Sequence, residues 1–122
     1  MANRNLSRPW TYGKGLVSIP CKWTIGASGA VGTLTGAGVA SVTRTSAGLY
    51  RITLSDVFSA FHNIQVTLLQ ATVTDRHISV KAYSASGKTV DVHVWDQSAG
   101  AVTDPESGDE IHVLVVAKNS GV

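Results

Sequence analysis

Gly87-Lys88-Thr89 is the segment whose residue types most suggest chemistry. A glycine, a lysine and a hydroxyl in that order close the loop that cradles nucleotide phosphates, where backbone amides and an ammonium meet the anion. The full motif needs a glycine at the place of Ala82 and a helix afterwards. Instead Val90-Asp91-Val92-His93-Val94 follows, alternating apolar and polar as a strand does. The segment therefore reads as a hairpin turn.

The histidines are His62, His77, His93 and His112. Asp91 and His93 stand two apart and share a strand face, so both could address one ion. A metal centre needs at least three convergent ligands with outer support. The third would have to come from His112 or His77 on another strand, so these residues read as outward-facing strand positions. Asp104-Pro105-Glu106-Ser107-Gly108-Asp109-Glu110 is acidic enough to attract calcium. It lacks the ligand alternation of an EF-hand loop, and its Asp-Pro start and central glycine suit a solvated turn; the alternatives are calcium or a salt-bridge partner for a basic arm from a neighbouring subunit. Ser28 is not a nucleophile elbow, because Ala30 stands where the second glycine belongs. Cys21 is the only cysteine, and beside Trp23 it reads as a small buried hydrophobe rather than half of a catalytic pair. No spaced carboxylate pair stands out for acid–base work. The expectation is a protein that is not an enzyme, with no cofactor, metal or small-molecule substrate.

The elements around these residues are strands. Val, Ile and Thr supply 34 of 122 residues, and these types favour pleated, half-buried surfaces. Leu16 to Ile25 reads as two short pieces separated by Pro20. Gly26 to Gly38 reads as a glycine-rich loop with a short strand near Val31 to Leu34. Val39 to Arg44 and Leu49 to Leu54 form a hairpin, in which Tyr50, Ile52 and Leu54 share one face. Ser55 to His62 is the one helical candidate, with Val57, Phe58 and Phe61 on one side. In Ile64 to Val73 the apolar parity switches after Leu68, which predicts a bulge or a strand crossing between sheets. Then come His77 to Tyr83, Thr89 to Trp95 and Glu110 to Ala117. Their apolar faces are Ile78/Val80/Ala82, Val90/Val92/Val94 and Ile111/Val113/Val115. About eight short antiparallel strands with frequent turns and one short helix read as an all-β sandwich of jelly-roll type. The sandwich is expected over residues 15–122, after an N-terminal arm over residues 1–14.

Charge is sparse: 15% of residues, against about a quarter in typical proteins, with a net charge of +2. That balance is too small to favour nucleic acid. No run of apolar residues reaches membrane-spanning length, and the N-terminal stretch has no apolar segment of secretory-signal type. The arm is basic and holds two large aromatics. Arg4, Arg8, Trp10, Tyr12 and Lys14 are the candidate grip on a protein partner. On the last strand, Leu114 and Val116 lie opposite the Ile111/Val113/Val115 face, and Trp95 lies opposite Val90/Val92/Val94. A strand apolar on both faces is central in a sandwich or covered by a partner, so Trp95, Leu114 and Val116 are candidate inter-subunit contacts.

Gly38-Val39-Ala40-Ser41-Val42-Thr43-Arg44-Thr45-Ser46-Ala47-Gly48-Leu49-Tyr50-Arg51-Ile52-Thr53-Leu54 resembles small structural proteins of tailed bacteriophages. The shared feature is a strand ending in Arg, a Thr/Ser/Gly turn, then Gly-x-Tyr-x-Ile-x-Leu. Thr103-Asp104-Pro105-Glu106-Ser107-Gly108-Asp109-Glu110-Ile111-His112-Val113, a turn feeding a terminal strand, is similar to them too. Within that class the chain looks like a capsid decoration, or cement, protein. The resemblance implies a homo-oligomer, dimer or trimer, that binds the major capsid protein on the outer face of the shell and bridges capsomers. It implies synthesis in the bacterial host cytoplasm and residence on the virion, with no membrane partner. The other reading is a receptor- or glycan-binding module of a tail fibre or tail tip. Trp10, Tyr12, Trp23, Tyr83 and Trp95 would then form a surface cluster.

Overall fold

The structure, a computed structural model, describes residues 16–118. It contains nine strands: β1 (Leu16–Ile25), β2 (Val31–Thr35), β3 (Val39–Ser46), β4 (Leu49–Leu54), β5 (Ala60–Leu69), β6 (Arg76–Ser84), β7 (Thr89–Asp96), β8 (Ala101–Val102) and β9 (Glu110–Lys118). They form two antiparallel sheets. The first runs β2-β1-β9-β5, and the second runs β3-β4-β7-β6 with the two-residue β8 pairing β7.

The sheets face each other because alternation places one apolar row inward on every central strand. β1 contributes Ile19, Cys21, Trp23 and Ile25, and β9 contributes Ile111, Val113, Val115 and Ala117. From the second sheet come Tyr50, Ile52 and Leu54 of β4 and Val90, Val92 and Val94 of β7. Burying each Val, Leu or Ile side chain of this set is worth about 1.5–3 kcal/mol. Trp23 meets Tyr50 across the gap, with ring centroids 5.9 Å apart. The outer strands β2, β3, β5 and β6 add a half-buried rim that includes Leu34, Val42, Ile64, Val66, Ile78 and Val80.

This is the expected two-sheet sandwich. The strand order lends no support to the finer jelly-roll expectation, since β3–β4 and β6–β7 are hairpins lying wholly within one sheet. Several local expectations change. Pro20 does not divide β1. Each residue from Leu16 to Thr24 pairs with β9, while the β2 ladder begins only at Lys22. The Pro20 carbonyl lies against Gly36 beyond the end of β2, so the missing N–H costs no ladder bond. Ser55 to His62 is not a helix. The Ser59 amide and hydroxyl both donate to the Lys118 carbonyl at 3.0 Å, and the chain enters β5 at Ala60. A helix of two turns is marginal alone, and pairing with β9 outcompetes it. The helical turn lies instead at Ala27–Gly29, a 3-10 turn. The parity switch after Leu68 marks neither a bulge nor a crossing. β5 ends at Leu69, and the exposed Leu69 and Val73 belong to its exit. The register shift in β5 comes at the opposite end, between Phe61 and Asn63.

Tyr50 ties the core to the 3-10 turn. Its hydroxyl donates to the Gly29 carbonyl at 2.6 Å, and burial pushes its pKa up to about 12. Gly29 has φ +77°, and a Cβ there would fall 2.4 Å from Asp104 Cγ. Tyr50→Phe orphans that carbonyl and should cost about 1–3 kcal/mol in chemical denaturation. Gly29→Ala should cost at least as much, because left-handed backbone and carboxylate both oppose the methyl. A denaturation midpoint unchanged in either variant would contradict this account of the turn.

Candidate interaction surfaces

The residues singled out for chemistry are structurally engaged. Gly87-Lys88-Thr89 sits in the β6–β7 hairpin: Lys88 has φ 63°, its amide donates to Ala85, and its carbonyl accepts from Leu54. Asp91 holds Arg51 through two parallel hydrogen bonds of 2.8 and 2.9 Å. His93 hydrogen-bonds with Ser79 at 2.7 Å, and His77 with Gln97 at 2.8 Å. His112 lies on the other sheet and pairs with Glu110 at 3.1 Å. Among the described residues, no three of His, Cys, Asp and Glu are grouped as a metal ion requires. Cys21 is 7% exposed, and burial pushes its thiol up to about 11.

The acidic segment is a latch rather than a solvated turn. Asp104 receives two hydrogen bonds from Arg44, at 3.0 and 2.7 Å, and a third from the Gly48 amide at 2.7 Å. Arg76 donates to the Asp104 carbonyl at 3.0 Å and pairs with Asp96 at 3.2 Å and Glu106 at 3.1 Å. Asp109 is fully buried and accepts from the amides of Ala71 and Glu106. Glu110 lies 3.8 Å from Lys22. The segment thus fastens the β3–β4 turn and the start of β6 to the entry of β9. Sequence reading missed this because Arg44 lies 60 residues from Asp104. The visible signal was the clustering of Asp104, Glu106, Asp109 and Glu110 in one short stretch.

Of the candidate contact residues, Arg4, Arg8, Trp10, Tyr12 and Lys14 lie outside the described residues. Leu114 and Val116 project from the outer face of the first sheet. In register, Leu114 lies between Pro20 and Gln65, and Val116 between Ser18 and Asn63. A shallow hollow of about 250 Å³ there is lined by Pro20, Gln65, Thr67, His112 and Leu114, among others. Trp95 lies on the outer face of the second sheet. Its ring stacks on His77 at 4.7 Å and 25°, and Val102 of β8 pairs beside it. The structure therefore brings Leu114 and Val116 together and puts Trp95 on the opposite side of the sandwich. No protein-family model, curated protein or solved structure matches this chain.

The aromatic cluster of the fibre-module reading is not assembled among the described residues. Trp23 is fully buried, its Nε1 without a hydrogen-bond partner, and cannot reach a surface ligand. Tyr83 lies at the β5–β6 side of the sandwich, away from Trp95. Strand parity placed Ala82 inward, but a bulge between Val80 and Ala82 turns Tyr83 inward instead. There its ring packs on Phe61 at 5.7 Å beside a groove of about 270 Å³ that sequence reading did not find.

Two outcomes follow. The guanidinium of Arg44 beside Asp104, and that of Arg51 beside Asp91, hold each carboxyl below its ordinary value of 3.8. A depressed folded-state pKa stabilises the fold above the unfolded value, and that contribution is lost as pH falls through the lower folded one. Denaturation midpoints should therefore be flat from about pH 7 to pH 5 and drop below about pH 4. Asp104→Asn should lower the plateau and shallow the drop; an identical acid profile would contradict the latch. Cys21 should react with an alkylating reagent at pH 8 only after unfolding, since about one part in a thousand is thiolate in the native state. Rapid native labelling would contradict its placement.

Proposed function

We propose that this chain is a virion structural protein that binds the outer surface of a bacteriophage capsid and bridges neighbouring capsomers. The observation that carries the proposal is the pair Leu114 and Val116 on the otherwise polar outer face of a sandwich whose core is already closed. Ile111, Val113 and Val115 are at most 3% exposed, so β9 needs neither Leu114 nor Val116 to complete the interior. Two more hydrophobes on the outer side of a central strand suit a protein contact. Trp95 and Val102 repeat the feature on the opposite sheet, and a bridging subunit needs contact surfaces on more than one side. The low charge density agrees with surfaces that neighbours cover. Self-association into a dimer or trimer through one face, and attachment to the major capsid protein through the other, would use both. Repetition over a symmetric shell turns a modest contact per copy into strong cumulative binding.

The second reading, a receptor- or glycan-binding module of a tail fibre or tip, is supported by Trp95. Its ring stacks on His77, which in turn hydrogen-bonds with Gln97, an aromatic surface with a polar neighbour.

Co-sedimentation with purified phage capsids lacking the protein tests both readings. The wild-type chain should sediment with the shells, and the Leu114→Asp, Val116→Asp double variant should bind at least about tenfold more weakly. Circular dichroism and thermal melting would show that the variant keeps its fold. A wild-type chain that stays in the supernatant contradicts the capsid proposal. Loss of cell binding with Trp95→Ser, and of nothing else, would favour the fibre reading.

A further inference from the structure

The last strand of a sheet can accept one more strand, because alternate residues leave their N–H and C=O groups without a ladder partner. Among the described residues, the sheets end in β2 and β5 on the first and in β3 and β6 on the second. Three of these edges carry obstacles. β2 is only five residues long. β3 shifts register near both ends and holds Arg44, which is engaged with Asp104. β6 holds Arg76 and Lys81, and Lys81 sits at its bulge between Val80 and Ala82. Short length, lysine and bulges are the usual means by which an edge repels a further strand.

β5 is the exception. Ala60–Leu69 is ten residues long and contains no Asp, Glu, Lys, Arg, Pro or Gly. The stretch free of charged residues runs further, from Val57 to Thr74. The register shift of β5, between Phe61 and Asn63, lies near its start, so Asn63 to Leu69 pairs with β9 without interruption. The inward residues of this run, Ile64, Val66 and Leu68, are only half-buried, whereas Ile111, Val113 and Val115 of β9 are at most 3% exposed. Apolar area therefore remains along this edge for a further strand to cover.

The run is also symmetric about Val66. Ile64 and Leu68 lie two places to either side on the inward face, and Gln65 and Thr67 lie one place to either side on the outward face. An antiparallel copy related by a twofold axis at Val66 sets Val66 opposite Val66, Ile64 opposite Leu68 and Gln65 opposite Thr67. Apolar side chains then meet on the inward face and hydrogen-bonding ones on the outward face. A slip of one residue would bring the polar row of one copy onto the apolar side of the other. The edge thus asks for a strand, and its own sequence is a matching one.

We propose that β5 pairs antiparallel with β5 of a second copy in this register, joining two four-stranded sheets into one. The contact is isologous, so it closes at a dimer. It goes beyond the capsid reading and does not depend on it, because it uses a strand edge and is measured on the isolated chain.

Sedimentation equilibrium on the full chain tests it, and wild type should show a reversible monomer–dimer equilibrium. Gln65→Lys with Thr67→Lys puts like charges directly opposite at both outward pairs and should weaken association at least about tenfold. Gln65→Lys with Thr67→Glu puts opposite charges there and should hold association within about threefold of wild type or tighten it. Both positions are exposed, and circular dichroism checks that the fold is kept. In hydrogen–deuterium exchange, the amides of Asn63 to Leu69 that do not bond to β9 should be protected in the dimer and exchange freely on dilution. A monomer at every concentration, a trimer, or association unchanged by the lysine pair would overturn the proposal. So would protection of those amides in the monomer, which would show that the chain covers its own edge. Equal loss of association in both variants would overturn it as well, by moving the contact to the outer face beside Leu114.

Discussion

Strand β9 is the element on which the rest of the structure depends. It is paired along its length with β1 on one edge and with β5 on the other, so it can shift toward neither. Its inward row, Ile111, Val113, Val115 and Ala117, is packed beneath the opposing sheet. Alternation then leaves Leu114 and Val116 one direction, outward. The same constraint acts on β7, which has neighbours on both edges and buries Val90, Val92 and Val94, so Trp95 also faces outward. Leu114, Val116 and Trp95 are thus apolar residues on the outer sides of central strands, among mostly polar neighbours.

The latch around Asp104 sets the entry to β9. Its carboxylate meets a forked guanidinium and a backbone amide, while Asp109 satisfies two more amides from full burial. These bonds hold the β3–β4 turn, the start of β6 and the last loop at one end of the sandwich. A buried carboxylate is tolerated when its oxygens are hydrogen-bonded, and here both are. The opposite end, where β1 and β5 begin, has no comparable ionic clamp among the described residues. The groove between β5 and β6 lies there, lined by Phe61, His62, Asn63, Ile64, Val80 and Tyr83.

Much of this was legible in the residues. Alternation in Leu49–Leu54, Thr89–Asp96 and Glu110–Lys118 marked both the strands and their inward faces, because these central strands bury one full row. Leu114, Val116 and Trp95 were legible as outward positions for the same reason. Pro20 misled because a proline breaks a ladder only on the side where its N–H would pair, and pairing partners are not visible in one dimension. Ser55 to His62 misled because three apolar residues at helical spacing also fit a strand entry once β9 supplies a partner. The groove was hidden by the bulge in β6, which reverses the assignment of Ala82 and Tyr83, and by the helical reading of Ser55 to His62, which took in Phe61. Arg44 and Asp104 could not be joined by spacing, since only the fold brings them together.

If the outer faces serve a shell, the protein must be present in particles at a number set by shell symmetry. The most direct measurement is its copy number in purified particles, by gel densitometry against the major capsid protein. A ratio near one-to-one, or a simple fraction of it, is the predicted result. A handful of copies per particle, or none, would contradict a capsid role for these surfaces.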